Sequence, residues 1–117
     1  MHYYDTLAKY ERDGFNVIVD KTWEDIDPRD QFDTEDADEI CKKINDGTYD
    51  WFMLRVRVLV EGLELGSHHV GGCCYEDAHE VLTDGLAEDC IQEALAEAKK
   101  EVYRLRQKFA RLCEVDN

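Results

Sequence analysis

Proline is almost absent: Pro28 is the single one among 117 residues. No Gly/Ser-rich stretch interrupts the chain either. Neither a linker nor a domain boundary is expected, so residues 1–117 read as one domain. No apolar run is long enough to cross a bilayer. The longest, around Trp51–Val60, is interrupted by Arg55 and Arg57. Met1–Tyr10 lacks the apolar segment of a secretory signal, which makes the cytoplasm the expected location. The five cysteines are an odd number without a CxxC pair, which favours reduced thiols over a disulfide framework. Catalytic signatures are missing as well: there is no GxSxG, P-loop, GxGxxG or HExxH. No catalytic residue, metal or cofactor is expected.

Basic residues are few. Fourteen Lys/Arg face 28 Asp/Glu, for a formal charge of −14. Solubility of a small domain requires a charge magnitude of only roughly 2–8, and the excess repels itself at a cost in stability. Such a chain is opposed at long range by nucleic-acid phosphates and attracted to basic protein surfaces. Hydrophobic residues still make up 44% of the chain. At this length roughly two-thirds of the unfolded surface can be buried, enough for one core.

Phe15–Asp20, with Val17, Ile18 and Val19, reads as a strand after an Asp13-Gly14 hairpin turn. Thr6–Arg12 is its partner strand or a short helix. Lys21–Thr34, with Pro28 and many aspartates, reads as an acidic loop. Asp33 or Thr34 then caps a helix to about Asn45, with Ala37, Ile40, Cys41 and Ile44 on one face and Asp46-Gly47 as its stop. Trp51–Leu65 holds the clearest pattern. Phe52, Leu54, Val56, Val58 and Val60 alternate with Trp51, Met53, Arg55, Arg57 and Leu59, which assigns the first set to the core. A Glu61-Gly62 turn returns the chain as Leu63–Val70. A plain two-residue turn places His69 inward opposite Leu54 and His68 outward opposite Arg55. Gly71-Gly72 is expected to break this strand. Tyr75–Thr83 reads as a short helix with Ala78, Val81 and Leu82 inward, stopped at Asp84-Gly85. From about Leu86 to Leu112, the residues Ile91, Leu95, Ala98, Val102, Leu105, Phe109 and Leu112 form an apolar stripe at steps of four and three. The expected fold is α+β: a three- to four-stranded antiparallel sheet with this long helix and shorter helices packed on one face.

Charge is segregated along the chain. The first acidic group is Asp25, Asp27, Asp30, Asp33, Glu35, Asp36, Asp38 and Glu39. The second is Asp89, Glu93 and Glu97 on the long helix, while Arg104, Arg106, Lys108 and Arg111 reverse the sign near its end. Carboxylates four residues apart on a helix are about 6 Å apart, which approximates phosphate spacing along a DNA strand. Both groups are candidate partner-binding residues. The plainer account of the helix row is a solvated face near a helix N-terminus, where the dipole favours acids. His68-His69-Val70-Gly71-Gly72-Cys73-Cys74 brings zinc-type ligands together in sequence, but neighbouring histidines on a strand point to opposite faces. Asp25-Ile26-Asp27-Pro28-Arg29-Asp30 lacks the sixth-position glycine of a calcium loop and has Asp36 where glutamate is required. The outer sheet face, with Trp51, Met53, Arg55 and Arg57, is either an interface anchor or is covered by Trp23, Phe32 or the acidic loop.

The segment Tyr49-Asp50-Trp51-Phe52-Met53-Leu54-Arg55-Val56-Arg57-Val58, with Leu65-Gly66-Ser67 and Val70-Gly71-Gly72-Cys73-Cys74-Tyr75-Glu76, resembles small acidic proteins carried by phages and plasmids. Size and charge are also similar to those of anti-CRISPR and other DNA-mimic anti-defence inhibitors. The resemblance implies a stoichiometric inhibitor in the host cytoplasm. Its expected partner is a basic, nucleic-acid-binding protein or complex of a bacterial host, with no direct contact to nucleic acid or membrane. The alternative is an oligomeric adaptor, for instance a homodimer through the long helix, that binds through apolar faces.

Overall fold

In the computed structural model, residues 4–32 and 36–115 are described, with side chains as far as Cys113. Strands β1 (Tyr4–Arg12), β2 (Phe15–Trp23), β3 (Asp50–Val60) and β4 (Leu63–Tyr75) form one antiparallel sheet in the order β1-β2-β3-β4. Short helices α1 (Pro28–Gln31) and α2 (Ala37–Asn45) link β2 to β3. A 3-10 helix, Ala78–Leu82, leads into α3, Leu86–Val115. This is the expected α+β fold. Among the described residues no helix is long and apolar enough to cross a membrane.

Local chemistry accounts for the boundaries. Asp13-Gly14 and Glu61-Gly62 both have positive φ at their two residues, the type I′ geometry that matches strand twist. The strand alternative is the one realised for Thr6–Arg12, which begins earlier, at Tyr4, and pairs along β2. The expected loop over Lys21–Thr34 is corrected at its start and in its middle. Lys21, Thr22 and Trp23 continue β2 because Leu54, Met53 and Phe52 of β3 supply partners. Pro28 opens α1 at its first position, where its missing N–H costs nothing, and the Asp27 carboxylate accepts from the Arg29 backbone N–H. The cap expected at Asp33 or Thr34 lies outside the described residues; helix α2 begins at Ala37 and Gly47 follows it with φ +85°.

The β3–β4 hairpin departs from a plain register twice. Leu59 pairs with Glu64 and Val58 with Gly66, leaving Leu65 as a bulge. One extra residue moves every following side chain to the other face. His68 therefore lies opposite Val56 on the core side and His69 opposite Arg55 on the outer side, the reverse of the expectation. Gly71-Gly72 does not break the strand. The two residues stand opposite Met53 as a second bulge, and β4 runs on to Tyr75. The short helix expected from Tyr75 accordingly starts later, at Ala78, with Ala78 and Val81 buried.

The inner face carries Phe15, Val17, Val19, Phe52, Leu54, Val56, Val58 and Cys73. Against it pack Ala87, Cys90, Ile91, Ala94, Leu95 and Ala98 of α3. Contact is closest at Gly66, where a Cβ would lie 2.8 Å from the Ala98 nitrogen and 3.1 Å from the Ala98 Cβ. Helix α3 is longer than its support. At 1.5 Å per residue its 30 residues reach about 45 Å, and from Tyr103 to Cys113 every residue except Leu105 is exposed. Phe109 and Leu112, expected in the apolar stripe over the core, are 56% and 55% exposed. The overhang gives extents of 68 × 25 × 24 Å and a radius of gyration of 18.4 Å, against about 13 Å for a compact chain of this length.

Gly66→Ala is expected to destabilise the fold by about 1–3 kcal/mol, since the helix must lift off the strand. Urea unfolding measures this; an unchanged midpoint would show that α3 is not seated on Gly66.

Candidate interaction surfaces

Asp89, Glu93 and Glu97 project from α3 on the side away from the sheet, because Cys90, Ile91, Ala94, Leu95 and Ala98 occupy the core-facing side. All three are exposed, and they form no ion pair among the described residues. The neighbouring charges are engaged. Arg12 pairs with Glu88 at 2.8 Å, Lys99 with Asp13 at 3.0 Å and Arg104 with Glu101 at 2.6 Å. The row is thus what remains after local pairing, held on a rigid helix.

The first acidic group lies elsewhere. Its described members belong to the segment around α1 and α2, at the Trp51 end of the sheet's outer side. The Trp51 indole N–H donates to the Ile26 carbonyl at 3.0 Å and its ring meets Phe32 at 5.8 Å. Trp51 is therefore covered by this segment, whereas Trp23 is 66% exposed. Several of the acids have internal partners. Asp27 caps α1, Asp38 pairs with Arg29, and Glu39 pairs with Lys43 at 3.6 Å. Asp25, Asp30 and Asp36 are exposed; Asp33 and Glu35 lie outside the described residues. Among the described residues the two acidic groups are not brought into one surface. Among the described residues no cluster of three or more His, Cys, Asp or Glu side chains is placed to hold a metal.

The His/Cys segment is divided between the two faces. Cys73 points into the core and Cys74 lies opposite Trp51 on the outer side, while His68 and His69 alternate as described. Burial pushes the Cys73 thiol up to about 11 and also raises Cys74 and Cys90, so these thiols stay protonated at neutral pH. Burial and the hydrogen bond to Asp84 raise Tyr75.

Two buried acids escaped the sequence reading. Glu24 is 8% exposed, and its carboxylate accepts from the Gly72 N–H at 2.7 Å and the Ile26 N–H at 3.1 Å. A Cβ at Gly71 would sit 2.8 Å from the same carboxylate, so the glycine pair makes room for Glu24. Asp20 is 1% exposed at the centre of the outer face. Arg55 reaches its Oδ2 through both Nε, at 3.1 Å, and Nη2. Thr6 donates to Oδ1 at 3.3 Å, and Arg57 approaches Oδ2 at 3.5 Å. Arg55 also stacks on Tyr4, 3.3 Å from the ring centroid. Alternation alone puts Asp20 opposite the Val19 face of β2. Only the β2–β3 pairing reveals that this face is shared with Arg55 and Arg57.

The chain matches no protein-family model, no curated protein and no solved structure.

Asp20→Ala is expected to cost about 3–5 kcal/mol in urea unfolding, because it strands guanidinium charge in a shielded site. A loss under about 1 kcal/mol would reduce the network to an ordinary surface pair. With a thiol reagent at pH 7, mass spectrometry should find Cys113, the exposed cysteine, modified first. Cys73 and Cys90 should react only on unfolding; early modification of Cys73 in folded protein would contradict its placement.

Proposed function

We propose that this protein is an interaction protein, without catalysis of its own, whose acidic α3 row occupies a basic surface that a partner uses for nucleic acid. The observation that carries this reading is the exposed series Asp89, Glu93, Glu97 on one side of a rigid helix, without an ion pair among the described residues, in a chain of formal charge −14. Its carboxylates recur every four residues, about 6 Å, without rearrangement of the backbone. A groove that binds phosphates by Lys and Arg meets similar charge at a similar interval. The resemblance to small acidic phage and plasmid proteins directs the reading to a nucleic-acid-binding defence complex of a bacterial host, in the host cytoplasm.

A second reading has its own observation. Tyr103, Phe109 and Leu112 are exposed on the overhang of α3, which suits an adaptor that binds through apolar contacts or pairs with another copy.

The two readings separate in one experiment. Tagged protein captures partners from a bacterial lysate, the captured proteins are identified, and elution is followed against salt and against a competing DNA duplex. Under the mimicry reading the captured protein binds nucleic acid, both salt and DNA release it, and Asp89→Asn/Glu93→Gln/Glu97→Gln weakens capture by at least about tenfold. Salt-resistant capture that survives this triple variant and is lost in Phe109→Ser/Leu112→Ser would replace mimicry with the adaptor reading.

A further inference from the structure

At the centre of the sheet's outer face the arginines outnumber the carboxylate that holds them. Two guanidinium groups, Arg55 and Arg57, share a single carboxylate, Asp20. Arg55 takes Oδ2 with two nitrogens. Among the described residues Arg57 reaches only that same oxygen, at 3.5 Å, and its buried Nε has no hydrogen-bond acceptor. The Arg57 side chain is 27% exposed, so its charge is largely shielded from water yet open on one side. A cation in that position gains strongly from an incoming oxyanion.

The pairing register supplies further donors beside it. Ser67 of β4 and Ile18 of β2 flank Arg57 directly, and Lys9 of β1 lies opposite Ile18. His69 stands two residues along β4 from Ser67, opposite Arg55. Neighbouring strands are about 4.8 Å apart, so Ser67 lies directly beside Arg57 and the long side chain of Lys9 can reach toward Arg57 across Ile18. Within the row Lys9–Ile18–Arg57–Ser67 there is no acid. Glu11 and Glu64 belong to the adjoining row, opposite Asn16 and Leu59.

We propose that this face binds one phosphate group, held by the open edge of Arg57 and the Ser67 hydroxyl, with Lys9 and His69 at its sides. A carboxylate offers two acceptor atoms, whereas the donors here are spread over three strands and suit the several oxygens of a tetrahedral anion. The formal charge of −14 opposes a polyanion, so the ligand is a small phosphate compound and not a nucleic-acid chain. The site is independent of the α3 row and of any macromolecular partner.

Inorganic phosphate is titrated into the full chain at low ionic strength and followed by amide shifts in ¹⁵N-labelled protein. Saturable shifts at Arg57, Ser67 and His69 are expected, and Arg57→Gln should weaken binding by at least about tenfold. Ser67→Asp puts a carboxylate opposite Arg57. It should raise the thermal midpoint and abolish the phosphate response, a readout that does not depend on how Arg57→Gln folds. Repeating the titration with a 5′-mononucleotide identifies the source: tighter binding marks a phosphate ester, and equal or weaker binding marks free phosphate. No saturable shift, shifts confined to Arg104 and Arg111 on α3, or a folded Arg57→Gln variant that binds unchanged would overturn the proposal.

Discussion

The seating of α3 on β3 and β4 is the constraint on which the remaining features depend. Ala94 and Ala98 approach Gly66 so closely that no side chain fits between helix and strand. That contact settles which face of the sheet is the core. It also fixes the rotation of the helix, and with it the side on which Asp89, Glu93 and Glu97 emerge. The Leu65 bulge belongs to the same arrangement, since it brings Gly66 opposite Val58 on the buried face. Without that extra residue the small side chain would face outward and a larger one would meet the helix.

Covering one face leaves the other to be stabilised without a helix over most of its width. Asp20, Arg55, Thr6 and Tyr4 meet this need through hydrogen bonds and stacking. Such a network is sensitive to the loss of a member, because each remaining charge is partly withheld from water. It is also unbalanced, with two arginines to one aspartate. The unbalanced charge is the feature that distinguishes this face from an ordinary polar sheet surface.

The acidity of the chain is divided by the fold. Part of it is used internally, as in Asp27 at the start of α1 and Glu24 at the Gly71-Gly72 bulge. Part is paired at the surface, as in Glu88 and Glu101. The α3 row is left over in an ordered geometry. Its opposite number is the basic, partly apolar end of the same helix, which reaches past the sheet. A helix with an acidic, supported half and a basic, unsupported half presents two unlike surfaces to partners.

Local chemistry was legible from the residues alone wherever it needed no distant partner. The alternation of Phe52, Leu54, Val56 and Val58, the Asp-Gly and Glu-Gly turns and the three-four spacing of α3 each follow from backbone geometry and burial. The helix row was legible for the same reason, as a matter of spacing within one element. Features that required long-range pairing were not. The extension of β2 to Trp23 depended on partners in β3, and the exchange of His68 and His69 depended on one bulged residue. The burial of Asp20 depended on two strands meeting in register. Likewise, the stripe on α3 announces an apolar face, but its length says nothing of where the sheet ends. Composition and periodicity determined that this is an acidic α+β chain with a long amphipathic helix. The tertiary structure decided which charges are neutralised and which remain, because that depends on neighbours far apart in sequence.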